Sequence, residues 1–252
     1  MKSFIAFTKK EFLELFRTYK ILIIAAVFLV FSMMNPVIAK LTPLLVENFM
    51  PEGMNMTIPE PGAIDSWMQF YKNLPLCLIV FVIVFSGILT VEISNGTLIN
   101  ILTKGLSRTN VIISKLLTMI IMWTFSYILY FVVTYVYTIY LFPESINNII
   151  YAALMYYIFG IFIISVMIFA SSMFNGNYGV LLFTGGVTVV LFLINIIPKI
   201  QRYNPLKLIN DNMSLLQNKL SVGDFKFALI TLTVMCIVFI ISAVPIFNKK
   251  QI

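Results

Sequence analysis

Long apolar intervals without a single charge alternate with short polar ones along this chain. Ile21 to Ala39, Asn73 to Val91, Leu116 to Pro143 and Phe227 to Asn248 are four such intervals. Each is long enough for one membrane crossing, which needs about 20 predominantly apolar residues. A fifth, from Ser145 to Pro198, is too long for one crossing and breaks at Asn175-Gly176-Asn177-Tyr178-Gly179, a cluster of turn formers. The pattern therefore predicts an all-α polytopic membrane protein. It is a single transmembrane domain over 1–252 with six spans, at 21–39, 73–91, 116–142, 148–174, 179–198 and 227–247. Outer segments follow at 40–72 and 199–226.

The flanks refine this. Residues 1–20 predict an amphipathic helix with Phe4, Ile5, Thr8, Phe12, Leu15, Phe16 and Tyr19 on one face and Lys2, Lys9, Lys10, Arg17 and Lys20 mostly opposite. Such a helix lies along a membrane surface. Pro36 removes a backbone N–H and is expected to bend or close the first span. Pro43, Pro51, Pro59 and Pro61 make the segment after it too proline-rich for a long helix, and Pro75 falls in the first turn of the second span, where a missing N–H is harmless. Trp67, Tyr71 and the tyrosines late in the third span suit the headgroup layer. Gly185-Gly186 in the fifth span permits close helix approach, within the subunit or against a second copy. Short apolar groups in 199–226 predict small helices on the outer leaflet.

The polar island Glu92 to Lys115 is the exception to this apolar pattern. Leu98, Ile99, Ile101 and Leu102 share one helical face. Ser94 or Asn95 supplies a cap and Gly105 a stop. A helix of two turns does not hold itself together in water, so its apolar face is expected to dock.

Composition supports the membrane reading: 60% of the residues are hydrophobic, 11% are charged, and the mean hydropathy is +0.99, far from soluble averages. Six spans put both termini on one side. That side carries ten of the seventeen basic residues, including Lys104, Arg108 and Lys115 of the polar island, against seven on the other. The bias places the termini and the island in the cytoplasm, in a multi-pass protein of the cell membrane. The net charge of +7 then reads as topology and lipid contact, with no nucleic-acid partner.

Cys77 and Cys236 lie inside spans and there is no histidine, so neither a metal site nor a disulfide framework is expected. No G-x-x-x-x-G-K-[ST] loop occurs, and no catalytic constellation of His, Cys or paired carboxylates is present. The chain is not expected to be an enzyme or to hold a cofactor. No Asp, Glu, Lys, Arg or His falls in the interior of a predicted span, which disfavours ion-coupled transport.

Glu92-x-x-x-Gly96-Thr97-Leu98, then Leu102 to Gly105, Ser107-Arg108 and Lys115-Leu116, resembles the E-x-x-x-G-T-L... S-R... K-L pattern of type-2 ATP-binding-cassette exporter permeases. An amino-terminal amphipathic helix, six spans, a large first outer loop and a last outer segment with Pro198 and Asn204-Pro205-Leu206 are similar to that family along the whole chain. The resemblance implies an elbow helix at 1–20 and a cytoplasmic coupling loop at 94–110 between spans 2 and 3. Gly96, Thr97, Leu98, Ile101, Leu102, Lys104, Gly105, Ser107 and Arg108 would face a separate ATP-binding cassette subunit, which holds ATP and Mg. Leu98 and Leu102 would fill its groove, with Lys104 and Arg108 at the rim. Arg17, Glu92 and Lys115 would link the elbow to the loop, Glu92 pairing with Arg17, Arg108 or Lys115. Cargo would pass between the second and fifth spans of two permease copies, a homodimer or this chain with a relative. Phe81, Phe85, Thr184, Thr188 and Asn195 are candidates for that path, with Pro198, Asn204, Pro205 and Leu206 as an outer gate. Ser94-Asn95 stands where many relatives carry charged residues.

Uncharged, Met-rich and aromatic spans suit an amphipathic or hydrophobic cargo, because a strongly charged solute would find no partners there. An exported amphipathic peptide, as in the small bacterial exporters of antimicrobial peptides, comes first, and a lipid or drug second. Two other readings fit the six spans: an ion-coupled or passive transporter acting alone, and a non-transporting peptide sensor or immunity subunit.

Overall fold

The computed structural model describes residues 2–49, 60–103 and 105–250. Pro51 and Pro59 of the first outer segment, and Lys104 of the polar island, lie outside the described residues, as does the side chain of Ile101. In order, the helices are α1 (Lys2–Arg17), α2 (Lys20–Phe49), α3 (Ala63–Phe85), α4 (Thr90–Ser94), α5 (Thr97–Leu102), α6 (Arg108–Leu141), α7 (Ile149–Met173), α8 (Asn177–Ile194), α9 (Pro198–Gln201), α10 (Lys207–Asn210), α11 (Asn212–Leu216) and α12 (Lys226–Lys249). Among the described residues there is no strand. Six segments are long and apolar enough to cross a membrane, the architecture of a multi-pass membrane protein. The bundle has two polar ends. One holds α1, α4, α5 and the end of α12; the other holds the starts of α3 and α7 and the short helices α9 to α11.

The first span was expected to bend or close at Pro36, yet α2 runs to Phe49 through both Pro36 and Pro43. The reason is a long-range bond. Proline at 36 deprives the Ser32 carbonyl of its helical donor, and Thr134 Oγ1 of α6 donates to that carbonyl at 3.0 Å. Asn35 ties the same place together: its amide donates to Tyr130 Oη (2.9 Å) and Thr134 Oγ1 (3.1 Å) and accepts from Asn73 Nδ2 (2.9 Å). Tyr130 in turn donates to the Phe70 carbonyl. A side chain from a neighbouring helix is the usual way to satisfy backbone freed by proline in an apolar medium. Thr134→Val keeps the shape and removes both roles of the hydroxyl. It is expected to cost about 1–2 kcal/mol, read as a lower melting temperature in detergent.

Other boundaries move for local reasons. α3 starts at Ala63, ten residues before the predicted span, so Pro75 sits inside the helix instead of in its first turn. The start is held by Asp65, whose carboxylate accepts the Gly62 N–H at 2.9 Å. α6 starts at Arg108 because Ser107 caps it, its hydroxyl accepting from the Asn110 N–H at 3.2 Å. α8 ends at Ile194, and Pro198 opens α9 instead of closing the span.

α7 is the central post, buried along most of its length, while α8 and α12 bury few of their residues. Gly160 of α7 lets the Trp123 ring of α6 lie against its backbone, closer than any Cβ would allow. Phe28, Phe81 and Tyr127 pack on or beside that ring. Gly185 and Gly186 behave differently: a Cβ at either would meet nothing within 4 Å. Packing within the subunit is therefore not what these two glycines serve.

α1 corrects the expected inner face. Phe7, Glu11 and Leu15 are the buried positions, spaced four apart, while Ile5, Phe16 and Tyr19 are exposed. A carboxylate takes the place expected for an apolar side chain because a lysine of α6 meets it.

Candidate functional site

The polar island folds at the end of the bundle that carries α1 and the end of α12. α3 stops at Phe85, four buried residues, Ser86 to Leu89, make turns, and α4 resumes at Thr90. Gly96 then reverses the path with φ 68°, a left-handed conformation that costs glycine little. Nothing lies within 4 Å of where its Cβ would be, so the angle alone asks for glycine. The Thr97 hydroxyl donates back to the Glu92 carbonyl at 3.3 Å. After α5, Gly105 adopts φ 90° and leads to the Ser107 cap.

Leu98 was expected to point outward with Leu102. It is instead fully buried in the chain's own core, and Leu102 is half-buried against it. Neighbouring helical residues are about 100° apart, so burying Leu98 turns Ile99 outward. Ile99 is 41% exposed and Val91 of α4 equally so.

Beside this segment lies a buried charge cluster. Lys115 of α6 is 1% exposed and reaches Glu11 Oε2 of α1 at 2.5 Å and Glu92 Oε2 of α4 at 2.8 Å. Lys10 pairs with Glu92, with Glu14 at 2.7 Å and with Glu11 at 3.2 Å. The Phe7 ring lies beneath both ammonium groups. The hydroxyls of Thr8 and Ser114 share a hydrogen bond at 2.9 Å. Burial pushes the Glu11 carboxyl above the usual carboxylate range, although Lys115 opposes it. Burial alone would lower Lys10; hydrogen bonds to Glu14 and Glu92 outweigh it and hold the ammonium above its ordinary value. Glu11, Glu14 and Glu92 are close enough to share a cation, and the two ammonium groups stand among them.

The three residues named for the elbow link thus part company. Glu92 and Lys115 meet, while Arg17 is exposed and outside the cluster, its place taken by Lys10 and Glu11. A lysine followed by a glutamate on a short amphipathic helix reads as solvated surface, so the sequence carried no signal for either.

Arg108 does not pair with Glu92. Its Nη1 donates to the carbonyls of Phe247 (2.8 Å), Asn248 (3.0 Å) and Lys250 (2.6 Å), satisfying the open end of α12. Lys250 does the same for α7, donating to the Phe174 carbonyl at 2.6 Å. On the opposite side of α4, the Thr90 hydroxyl donates to Asn177 Oδ1 at the start of α8. A Cβ on Gly87 would lie 2.9 Å from Asn177 Nδ2.

The path residues also separate. Thr184 and Thr188 of α8 line a cavity of about 530 Å³ whose walls are Leu78, Ile79, Val82 and Ile83 of α3, Tyr156, Phe159 and Ile163 of α7, and Gly185 and Phe192 of α8. Both threonine hydroxyls donate back to their own helix, leaving an almost wholly apolar lining. Ile209 and Asn210 reach it at the other polar end of the bundle. Phe81 and Phe85 face away from it, stacked on each other at 4.5 Å and fully buried beside Trp123. Asn195 caps the end of α8 and does not line the cavity. In the last outer segment, Asn204 donates to the Leu191 carbonyl at 2.8 Å and accepts the Leu206 N–H at 2.9 Å. Pro205 and Leu206 are buried while Pro198 is exposed. No family model matches this chain, and no curated protein or solved structure matches it either.

Proposed function

We propose that this chain is the membrane subunit of an ATP-driven exporter, a permease of the type-2 ATP-binding-cassette kind, energised by a separate ATPase that binds ATP and Mg. The observation that carries the reading is the Glu92-x-x-x-Gly96-Thr97-Leu98 pattern, lying between two apolar helices at the end of the bundle that holds α1 and the end of α12. In this reading α1 is the elbow helix on the cytoplasmic face of the cell membrane, and Ile5, Phe16 and Tyr19 meet lipid. α5 is the coupling helix. Ile99 and Val91, with half-buried Leu102, supply the apolar contact that fills the partner's groove. Two copies of the permease, or this chain and a relative, complete the pathway. The apolar cavity between α3, α7 and α8 accepts the tail or apolar face of the cargo, an amphipathic peptide first and a lipid or drug second.

Ile99→Asp tests the reading without touching the core. Placing a charge at the centre of an apolar contact is expected to weaken co-purification with the cognate ATPase at least about tenfold, while the permease itself stays folded. Leu98→Asp is expected to lower the yield of folded permease instead, because that side chain is buried within the chain. Unchanged ATPase binding and ATP hydrolysis with Ile99→Asp would remove this function. Flux driven by an ion gradient in vesicles holding this chain alone would replace it with a transporter that acts by itself.

A further inference from the structure

α4 is only five residues long, yet it is held from two sides. Thr90 and Glu92 are two positions apart, about 200° around the helix. Glu92 is gripped by Lys10 and Lys115; Thr90, on the other side, is bonded to Asn177. The four buried turn residues before Thr90 separate α4 from α3. Backbone bonds from the Ile88 N–H to the Phe85 carbonyl and from the Val91 N–H to the Gly87 carbonyl still cross this turn, and the side-chain bonds add to them in setting where α4 sits.

Asn177 is the first residue of α8, one place past the position from which a side chain caps the first turn, so its amide is free to bond elsewhere. Here the cap position is Gly176 and no side-chain cap bond forms. The Asn177 amide crosses to the neighbouring segment, where Gly87 leaves room for it and the Thr90 hydroxyl donates to it. From Asn177 the same helix runs on to Thr184, Gly185 and Thr188 in the cavity wall. The turn behind it is stiff, because Gly179 packs against the Phe174 ring and the Phe174 carbonyl holds Lys250.

We propose that Asn177 is a positioning residue that joins the α4–α5 segment to α8, so that a displacement of one carries the cavity wall with it. The role in transport rests on the reading of α5 as the docking helix; the joint itself does not. The Thr90–Asn177 bond is the tie, and the turn at Ser86 to Leu89 is where the path from α3 to α4 departs from a regular helix.

The test uses the full-length permease in lipid nanodiscs, comparing Thr90→Val, which removes the hydroxyl, with Thr90→Ser, which keeps it. Amide hydrogen exchange is followed in residues 86–95 and 177–182. Loss of one buried hydrogen bond is expected to speed exchange about tenfold in both segments with Thr90→Val, and to leave both near wild type with Thr90→Ser. Faster exchange in 86–95 alone, or equal effects of the two variants, would overturn the joint. In vesicles containing the ATPase, Thr90→Val is expected to retain ATPase binding and ATP hydrolysis while efflux of a dye-labelled amphipathic peptide falls about tenfold. Unchanged efflux would overturn its role in transport. If no ATPase binds even the wild-type chain, the exporter reading falls, and the exchange comparison still decides the joint.

Discussion

Lys115→Met is expected to be among the most destabilising single changes in this protein, costing about 3–5 kcal/mol. The ammonium lies between Glu11 of α1 and Glu92 of α4, and all three side chains are at most 6% exposed. Removing it leaves two carboxylates facing each other with Lys10 in contact and Lys20 acting on them only at longer range. A buried charge without a partner is costlier than the pair was favourable. In detergent the melting temperature should fall by on the order of 10 °C. Two controls separate charge from packing. Combining Lys115→Met with Glu11→Gln removes one of the stranded carboxylates, so part of the loss should return. Acidification should also narrow the gap to wild type. Burial already holds the Glu11 carboxyl above its usual range, and losing Lys115 raises it further. A carboxyl raised in the folded state is penalised above its folded pKa and relieved as the pH falls through it, so the variant gains relative stability toward acid. If Lys115→Met melts with wild type at every pH, the cluster does not hold α1, α4 and α6 together.

The number of spans and their order were legible because that signal is one-dimensional: charge-free length is enough, and the turn cluster at Asn175 to Gly179 divides the one long interval. Long-range partners were not legible. Whether Pro36 closes a helix depends on Thr134, nearly a hundred residues away, supplying a donor to Ser32. Whether Leu98 or Ile99 faces outward depends on how α5 rolls against the core, and a run of Leu98, Ile99, Ile101 and Leu102 is apolar enough to permit either. Glu11 reads as surface until Lys115 draws it in. Asn177 reads as a turn former and does stand at a turn, but its side chain serves another helix. Of the five path candidates, Phe81 and Phe85 miss the cavity for the same reason. Phe81 and Phe85 have the right side-chain type on the wrong face of α3, whereas Ile79 and Ile83, two positions on, or two back, line the cavity.

The glycines give the second large prediction, because identical substitutions in neighbouring helices should act in opposite directions. At Gly160 an added Cβ would lie 2.2 Å from Cε2 and Cζ2 of Trp123 and 2.5 Å from its Nε1. That ring has no room to retreat: it is fully buried, edge-on to Phe28 and Phe81, and its Nε1 donates to the Tyr157 carbonyl at 3.1 Å. Gly160→Ala must therefore push α6 from α7 or break the indole bond, for a loss of about 3 kcal/mol or more. Gel filtration after heating reads it as an earlier loss of monodisperse protein. Adding Trp123→Leu makes room at the cost of packing, so the double variant should be more stable than the sum of the two single losses allows. Gly185→Ala and Gly186→Ala meet nothing within the chain and replace a poor helix former, so each should leave stability unchanged or raise it by about 0.5–1 kcal/mol. Gly185 lines the cavity, and a Cβ at either glycine would meet only open space. An alanine pair that is stable yet impairs efflux would place a second body, cargo or another copy of the chain, against that helix.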